Sequence, residues 1–160
     1  MIKLIVSYFY IGYLRPASGT WGSFAALPAA WAIVAFFGWQ GLIMATLTAF
    51  VVGWWATTEH IAHTDNSDPP EVVIDEVVGQ WIAVLPIAIG ASHADVSVLA
   101  LWPGITVAFF GFRAFDILKP GPIGWADRRG DALGVMLDDV LAGFATAAVV
   151  AAFAAVYHGL

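Results

Sequence analysis

Long apolar runs dominate the pattern of this chain. Residues 16–58 form a stretch of 43 positions without an Asp, Glu, Lys or Arg. A membrane-crossing helix needs about 20 apolar residues. This run therefore holds two helices, with Gly38-Trp39-Gln40-Gly41 as the natural break. Further charge-free runs cover residues 77–94 (18 positions), 96–112 (17) and 140–160 (21). The pattern predicts an all-α fold, a polytopic integral membrane helical bundle with about five membrane-embedded helices. Residues 1–14 are apolar around a single Lys. Arg15-Pro16 follow where a signal-peptide cleavage site needs small residues, so this stretch is expected to lie in the interface or re-enter the bilayer.

Composition strengthens the membrane reading. The chain of 160 residues is 61% hydrophobic and 11% charged, with a mean hydropathy of +0.83. Soluble domains are roughly a quarter charged, and a soluble fold this small could not cover so much apolar surface. There is no internal repeat or linker, which predicts one domain over residues 1–160. The absence of cysteine excludes a thiol nucleophile, a Cys-based metal site and disulfides.

Charge adds an orientation. Five spans put the segment up to Thr20, the loop 59–76 and the loop 113–139 on one side. All six basic residues (Lys3, Arg15, Arg113, Lys119, Arg128 and Arg129) fall there, with eleven of the twelve acids. Only Asp95 lies opposite. The Lys/Arg bias predicts that this side is cytoplasmic. Trp39, Trp102 and Trp125 are expected as interface anchors, and Trp81 as an anchor or a packing residue.

The acids carry the candidate chemistry. Asp75-Glu76 and Asp138-Asp139 each stand directly before an apolar run. They are expected near helix starts, where the helix dipole favours carboxylates. Adjacent helical positions differ by about 100°, so each pair should turn one member inward and one sideways. Asp116 lies in an apolar stretch, where an ionisable residue is costly and usually functional. Carboxylates converging on one point repel, and a divalent cation such as Mg²⁺ relieves that. The structural alternative is a set of solvated helix caps. Arg113, Asp116 and Lys119 are spaced three apart and share a helix face. They suit either an internal ion-pair ladder or a phosphate clamp beside a metal ligand. Gly19-Thr20 opens the first long helix, where backbone N–H groups favour anions or a hydroxyl caps the helix. His60 and His63 could be a ligand pair, but nothing else supports zinc, and a solvated helix end is expected. His93 and His158 read as interfacial on the far side.

Four segments in order resemble the phosphatidylglycerophosphatase A family. They are Ser18-Gly-Thr-Trp-Gly-Ser23, Ile74-Asp-Glu-Val-Val-Gly79, Phe112-Arg-Ala-Phe-Asp-Ile-Leu-Lys-Pro-Gly-Pro-Ile123 with Asp127, and Gly134-Val-Met-Leu-Asp-Asp-Val-Leu-Ala-Gly143. Asp68 also matches a family Asp, seven residues before Asp75. Ser18, Pro69-Pro70 and Asp131-Ala132 depart from the family pattern, all in loops. The resemblance implies an inner-membrane, multi-pass, Mg²⁺-dependent lipid phosphatase with its site on the cytoplasmic side. It would remove the terminal phosphate of phosphatidylglycerophosphate to give phosphatidylglycerol in phospholipid biosynthesis. The implied catalytic residues are Asp75, Glu76, Asp116, Asp138 and Asp139, with Asp75, Glu76, Asp138 and Asp139 as metal ligands. Arg113, Lys119, Gly19 and Thr20 would bind the substrate phosphate. The expected partners are a phospholipid substrate and the membrane, without nucleic acid and without an evident protein partner.

Rival readings fit less well. A vanadate-type lipid phosphatase would need a Pro-Ser-Gly-His motif, and a CDP-alcohol phosphotransferase an Asp-x-x-Asp-Gly-x-x-Ala-Arg motif. Neither is present. A cation channel would place acids at the midplane or on both sides; here they crowd one rim beside Arg and Lys.

Overall fold

The computed structural model describes residues 1–64 and 66–158, with the side chain of His158 outside the description. The described residues form six α-helices and two short 3-10 turns, without a strand. Four helices are long and apolar enough to cross a membrane. They are α2 (Ser18–Ile61), α3 (Ile74–His93), α4 (Trp102–Leu118, extended by the 3-10 turn Val98–Leu101) and α6 (Ala132–His158). α1 (Ile2–Val6) and α5 (Pro122–Asp127) are short.

The helix α2 contains a reversal. Gly38 leaves the helical region, with φ 67° and ψ −176°, a conformation open to glycine because it lacks a Cβ. A methyl group at Gly22 would lie 2.8 Å from Val73, and one at Gly53 would lie 3.1 Å from Ile74. In a straight helix, positions 22 and 53 would be about 46 Å apart. Both meet neighbouring residues of one segment, so α2 is folded back on itself. Its limbs, 18–37 and 39–61, are each about 30 Å long, the thickness of a bilayer core. Four long helices therefore supply five crossings, and the turn falls where the sequence pattern puts it.

α3 is the axis of the bundle. Of its most apolar 18-residue window 72% is buried, against 6% for α2. α3 crosses α6 at very short range: a methyl at Gly143 would lie 2.5 Å from the carbonyl oxygen of Gly79, and one at Gly79 would lie 2.6 Å from that of Asp139. Small residues let membrane helices approach this closely. The fully buried Phe112 of α4 packs directly on Gly79 and closes the third side. Trp81 is a packing residue, buried, with its indole N–H donated to the carbonyl of Ala26 at 2.9 Å. Trp102 and Trp125 are exposed.

The N-terminal segment does not span. A five-residue helix is too short, and the segment lies along the loop 62–73 instead. The N–H of Val73 donates to the carbonyl of Val6 at 2.8 Å, and Gly12 packs directly on the carbonyl of Glu71.

One helix start differs from expectation. α6 begins at Ala132, because Asp131 accepts the Gly134 N–H on its side chain at 2.7 Å and the Val135 N–H on its carbonyl at 3.1 Å. Asp138 and Asp139 are thus well inside the helix rather than in its first turn. The apolar run marked the hydrocarbon boundary, and the helix continues below it into the polar rim.

Candidate active site

The rim ends of α2, α3, α4 and α6 surround a cavity of about 150 Å³. Its wall includes Asp68, Asp75, Glu76, Asp116, Asp127, Asp138 and Asp139, together with Lys119 and Ser18. Asp75 and Glu76 stand in the first turn of α3, where the Glu76 N–H donates to Asp75 Oδ1 at 3.0 Å. On α6 the Asp139 N–H donates to Asp138 Oδ1 at 2.9 Å.

Helix register explains why the two pairs meet. Asp75 is four residues before Gly79, and Asp139 is four before Gly143. Each carboxylate therefore sits about one turn from the close crossing, on the face turned to the other helix. Asp75, Glu76 and Asp139 offer oxygens that all lie within 4.8 Å of one another. Oε2 of Glu76 and Oδ1 of Asp139 are buried without a hydrogen-bond partner among the described residues. Unpaired buried carboxylate oxygens are costly. Hard oxygen ligands at this spacing are what a divalent cation takes.

Both members of each pair reach the cavity, contrary to the expected one-in, one-sideways arrangement. Glu76 does so because Gly19 leaves room: any side chain at Gly19 would run into the Glu76 carboxylate and stand 3.2 Å from Arg113 Nη1. Asp138 lines the cavity but turns to Lys119, whose Nζ donates to its Oδ2 at 2.8 Å and also to Asp127.

The basic residues divide. Lys119 ends α4 in a left-handed conformation (φ 46°, ψ 51°), so it leaves the helical stripe and crosses to α5 and α6. Burial works against its ammonium charge, but the hydrogen bonds to Asp127 and Asp138 outweigh this and hold its pKa above the ordinary lysine value. Arg113 is outside the cavity wall. Its Nη1 pairs with Asp116 Oδ2 at 2.6 Å and donates to Ser23 Oγ at 3.4 Å. The expected ladder is thus one ion pair, Arg113–Asp116, and Lys119 is the basic side chain that faces the cavity.

The helix start at Gly19-Thr20 also differs in part. The Thr20 N–H is already donated to the carbonyl of Ala17 at 3.0 Å. Neither Gly19 nor Thr20 lines the cavity, whereas Ser18 does. His60 is not at a solvated helix end: it is buried and its Nε2 meets Glu71 Oε1 at 3.0 Å. His63 Nδ1 meets the carbonyl of Glu59 at 2.8 Å, so the two do not form a ligand pair.

Asp68 and Asp127 reach the cavity although spacing alone did not single them out. Asp68 sits in a loop and Asp127 ends the six-residue helix α5, too short for periodicity to carry a signal. The part played by Gly79 and Gly143 had a readable sign: each follows an acid by one helical turn.

Fold and cavity define a class: a polytopic helical membrane protein with a carboxylate-lined site at the bilayer rim. Comparison with known proteins narrows this. The family model for phosphatidylglycerophosphatase A matches residues 4–154, and the chain belongs to that family. It is 34% identical over 157 residues to a phosphatidylglycerophosphatase A of Haemophilus influenzae, covering 98% of this chain and 89% of that one. It is 29% identical over 132 residues to the Escherichia coli phosphatidylglycerophosphatase A, covering 82% and 70%. A Bacteroides thetaiotaomicron protein provisionally named phosphatidylinositol-3-phosphatase is 34% identical over 106 residues, covering 66% and 60%. No solved structure matches the chain. Family membership makes the chain a phosphoric monoester hydrolase.

Proposed function

We propose that the rim cavity hydrolyses the terminal phosphomonoester of phosphatidylglycerophosphate, releasing phosphatidylglycerol and phosphate. The observation that carries this is the convergence of Asp75, Glu76 and Asp139 beside Lys119 at the boundary of the membrane spans. A channel would not need a cation-type cluster next to an ammonium. The Haemophilus influenzae and Escherichia coli relatives carry this activity in their names.

The donor set fits Mg²⁺: three carboxylates close together, two of them with a buried oxygen that lacks a partner. Asp75, Glu76 and Asp139 would hold the ion, with Asp138 beside them. Mg²⁺ bound there would supply charge neutralisation at a phosphate oxygen and acidify a water. Lys119 would contact the phosphate from the other wall, at the cost of its bridge to Asp138 and Asp127. Arg113 would act indirectly, by fixing Asp116 and the back of Glu76. Phosphoryl transfer asks mainly for such positioning and charge balance. The acyl chains would remain in the bilayer while the headgroup enters at the rim. The Lys/Arg distribution supports a cytoplasmic site in the inner membrane.

The test is phosphate release by the purified chain from phosphatidylglycerophosphate in mixed micelles, with and without EDTA. A panel of phosphatidic acid, phosphatidylinositol 3-phosphate and a prenyl diphosphate fixes the substrate. We expect preference for phosphatidylglycerophosphate and loss of activity on chelation. A clear preference for another member of the panel would overturn the assignment.

A further inference from the structure

Seven carboxylates line the cavity, and six of them are engaged. Asp75, Glu76 and Asp139 converge on one another. Asp116 is paired with Arg113. Asp127 and Asp138 hold Lys119. Asp68 is left: among the described residues its carboxylate makes no hydrogen bond or ion pair, and only its backbone N–H is used, toward Asn66 Oδ1 at 3.0 Å. We propose that Asp68 is the general acid of the reaction, the group that protonates the leaving alcohol oxygen. This rests on the phosphomonoesterase reading of the cavity.

Depth places it there. Asp75 and Asp139 are only 6% and 3% exposed and form the floor, while Asp68 keeps an exposed face at the mouth. In this proposal a phosphate held by Asp75, Glu76 and Asp139 turns its ester oxygen toward Asp68, on the opposite side of the cavity from the attacking water.

The loop that carries Asp68 is held, not loose. Ser18 Oγ donates to the carbonyl of Pro70 at 2.5 Å, the Val73 N–H donates to Val6, and Glu71 meets His60. α1 and both limbs of α2 thus fix the loop that brings Asp68 to the cavity. The groups facing Asp68 are Lys119, Asp127, Asp116 and Asp75. The cavity wall desolvates its carboxyl and raises its pKa; Lys119 opposes this, and Asp127 and Asp116 add to it. Burial thus favours the protonated form that a general acid needs.

The step balances simply. The water oxygen bonds to phosphorus as the phosphorus–alkoxide bond breaks. The Asp68 proton goes to the leaving alkoxide, giving the free alcohol. The water brings two protons: one stays on the phosphate and the other passes to solvent, from which the exposed Asp68 carboxylate regains its proton.

The experiment compares two lipids on the full chain. One is phosphatidylglycerophosphate. The other is its analogue with sulfur in place of the bridging oxygen, whose thiolate leaves without protonation. Asp68→Asn should lower kcat on the oxygen substrate by about 10²–10⁴-fold, the range of general acid catalysis, and on the sulfur substrate by less than about tenfold. The fall of wild-type kcat at high pH, where the acid loses its proton, should be absent from Asp68→Asn. Asp68→Glu should recover part of the loss. Equal losses on both substrates, or no loss on the oxygen substrate, overturns the role. A wild-type chain that releases no phosphate from either lipid would instead sink the phosphomonoesterase reading itself.

Discussion

α2 and α3 look alike as strings of apolar residues, yet they do opposite work. In α2 only 6% of the apolar window is buried, the rest being half-buried or exposed, whereas in α3 72% is buried. Lipid tails are as apolar as leucine, so hydropathy cannot separate a lipid-facing helix from a buried one. Fine detail separates them. α3 carries Asp75, Glu76 and Gly79 on or near its contact face with α6. α2 carries Leu47, Val51 and Trp54 outward, all exposed. Asp75 and Glu76 sit at the start of the helix that its neighbours bury most.

Five substitutions test this contrast. The largest effect is expected at the α3–α6 contact itself: Asp139→Asn should lower phosphate release by at least about 10³-fold, with the thermal unfolding midpoint in detergent little changed. Next comes the crossing. Gly143→Ala places a methyl on the Gly79 backbone, which cannot yield as a flexible side chain would. A displacement of about 1 Å there should cost about 10²-fold in activity and lower the unfolding midpoint, whereas Gly90→Ala, with open space around it, should change neither. Full activity in Gly143→Ala would show that the close approach does not position the acids.

A smaller effect is expected at the rim. Lys119→Ala should raise KM more than it lowers kcat, and should lower the unfolding midpoint. The sign of its pH dependence follows from the raised folded-state pKa. Stabilisation by Lys119 is fully present below the ordinary lysine value and is lost only as pH rises through the folded value. The midpoint difference from wild type should therefore shrink as pH rises above about 10. The smallest effect is expected on the lipid face of α2, where Leu47→Ala should change activity less than about twofold, since surface substitutions away from special contacts are near neutral.

The crossings were legible because hydrocarbon thickness imposes a length that composition can meet or miss. The reversal at Gly38 was legible for the same reason: a charge-free run of two bilayer lengths has to turn. The four acids of the pairs were legible as charges that an apolar run should not abut without cause. The role of Arg113 was not, since its spacing served a ladder and a clamp equally. Only the left-handed end of α4 decides that Lys119 leaves the stripe and Arg113 stays behind. Asp68 was legible through the family resemblance but not through periodicity, because its loop's course is set by distant partners: Val6, Ser18 and His60. The true start of α6 was hidden because hydropathy marks where lipid begins, not where hydrogen bonding does.

The crossing of α3 with α6 has a consequence for biogenesis. The ribosome makes Asp75 and Glu76 long before Asp139 and Gly143, and Arg113 and Lys119 emerge in between. While the chain is being threaded into the bilayer, α3 arrives with two carboxylates and neither its cations nor its partner helix. A nascent chain that stalls before α6 therefore holds half a site with unbalanced charge. A chain that ends before α6 lacks Asp138 and Asp139 and should release no phosphate.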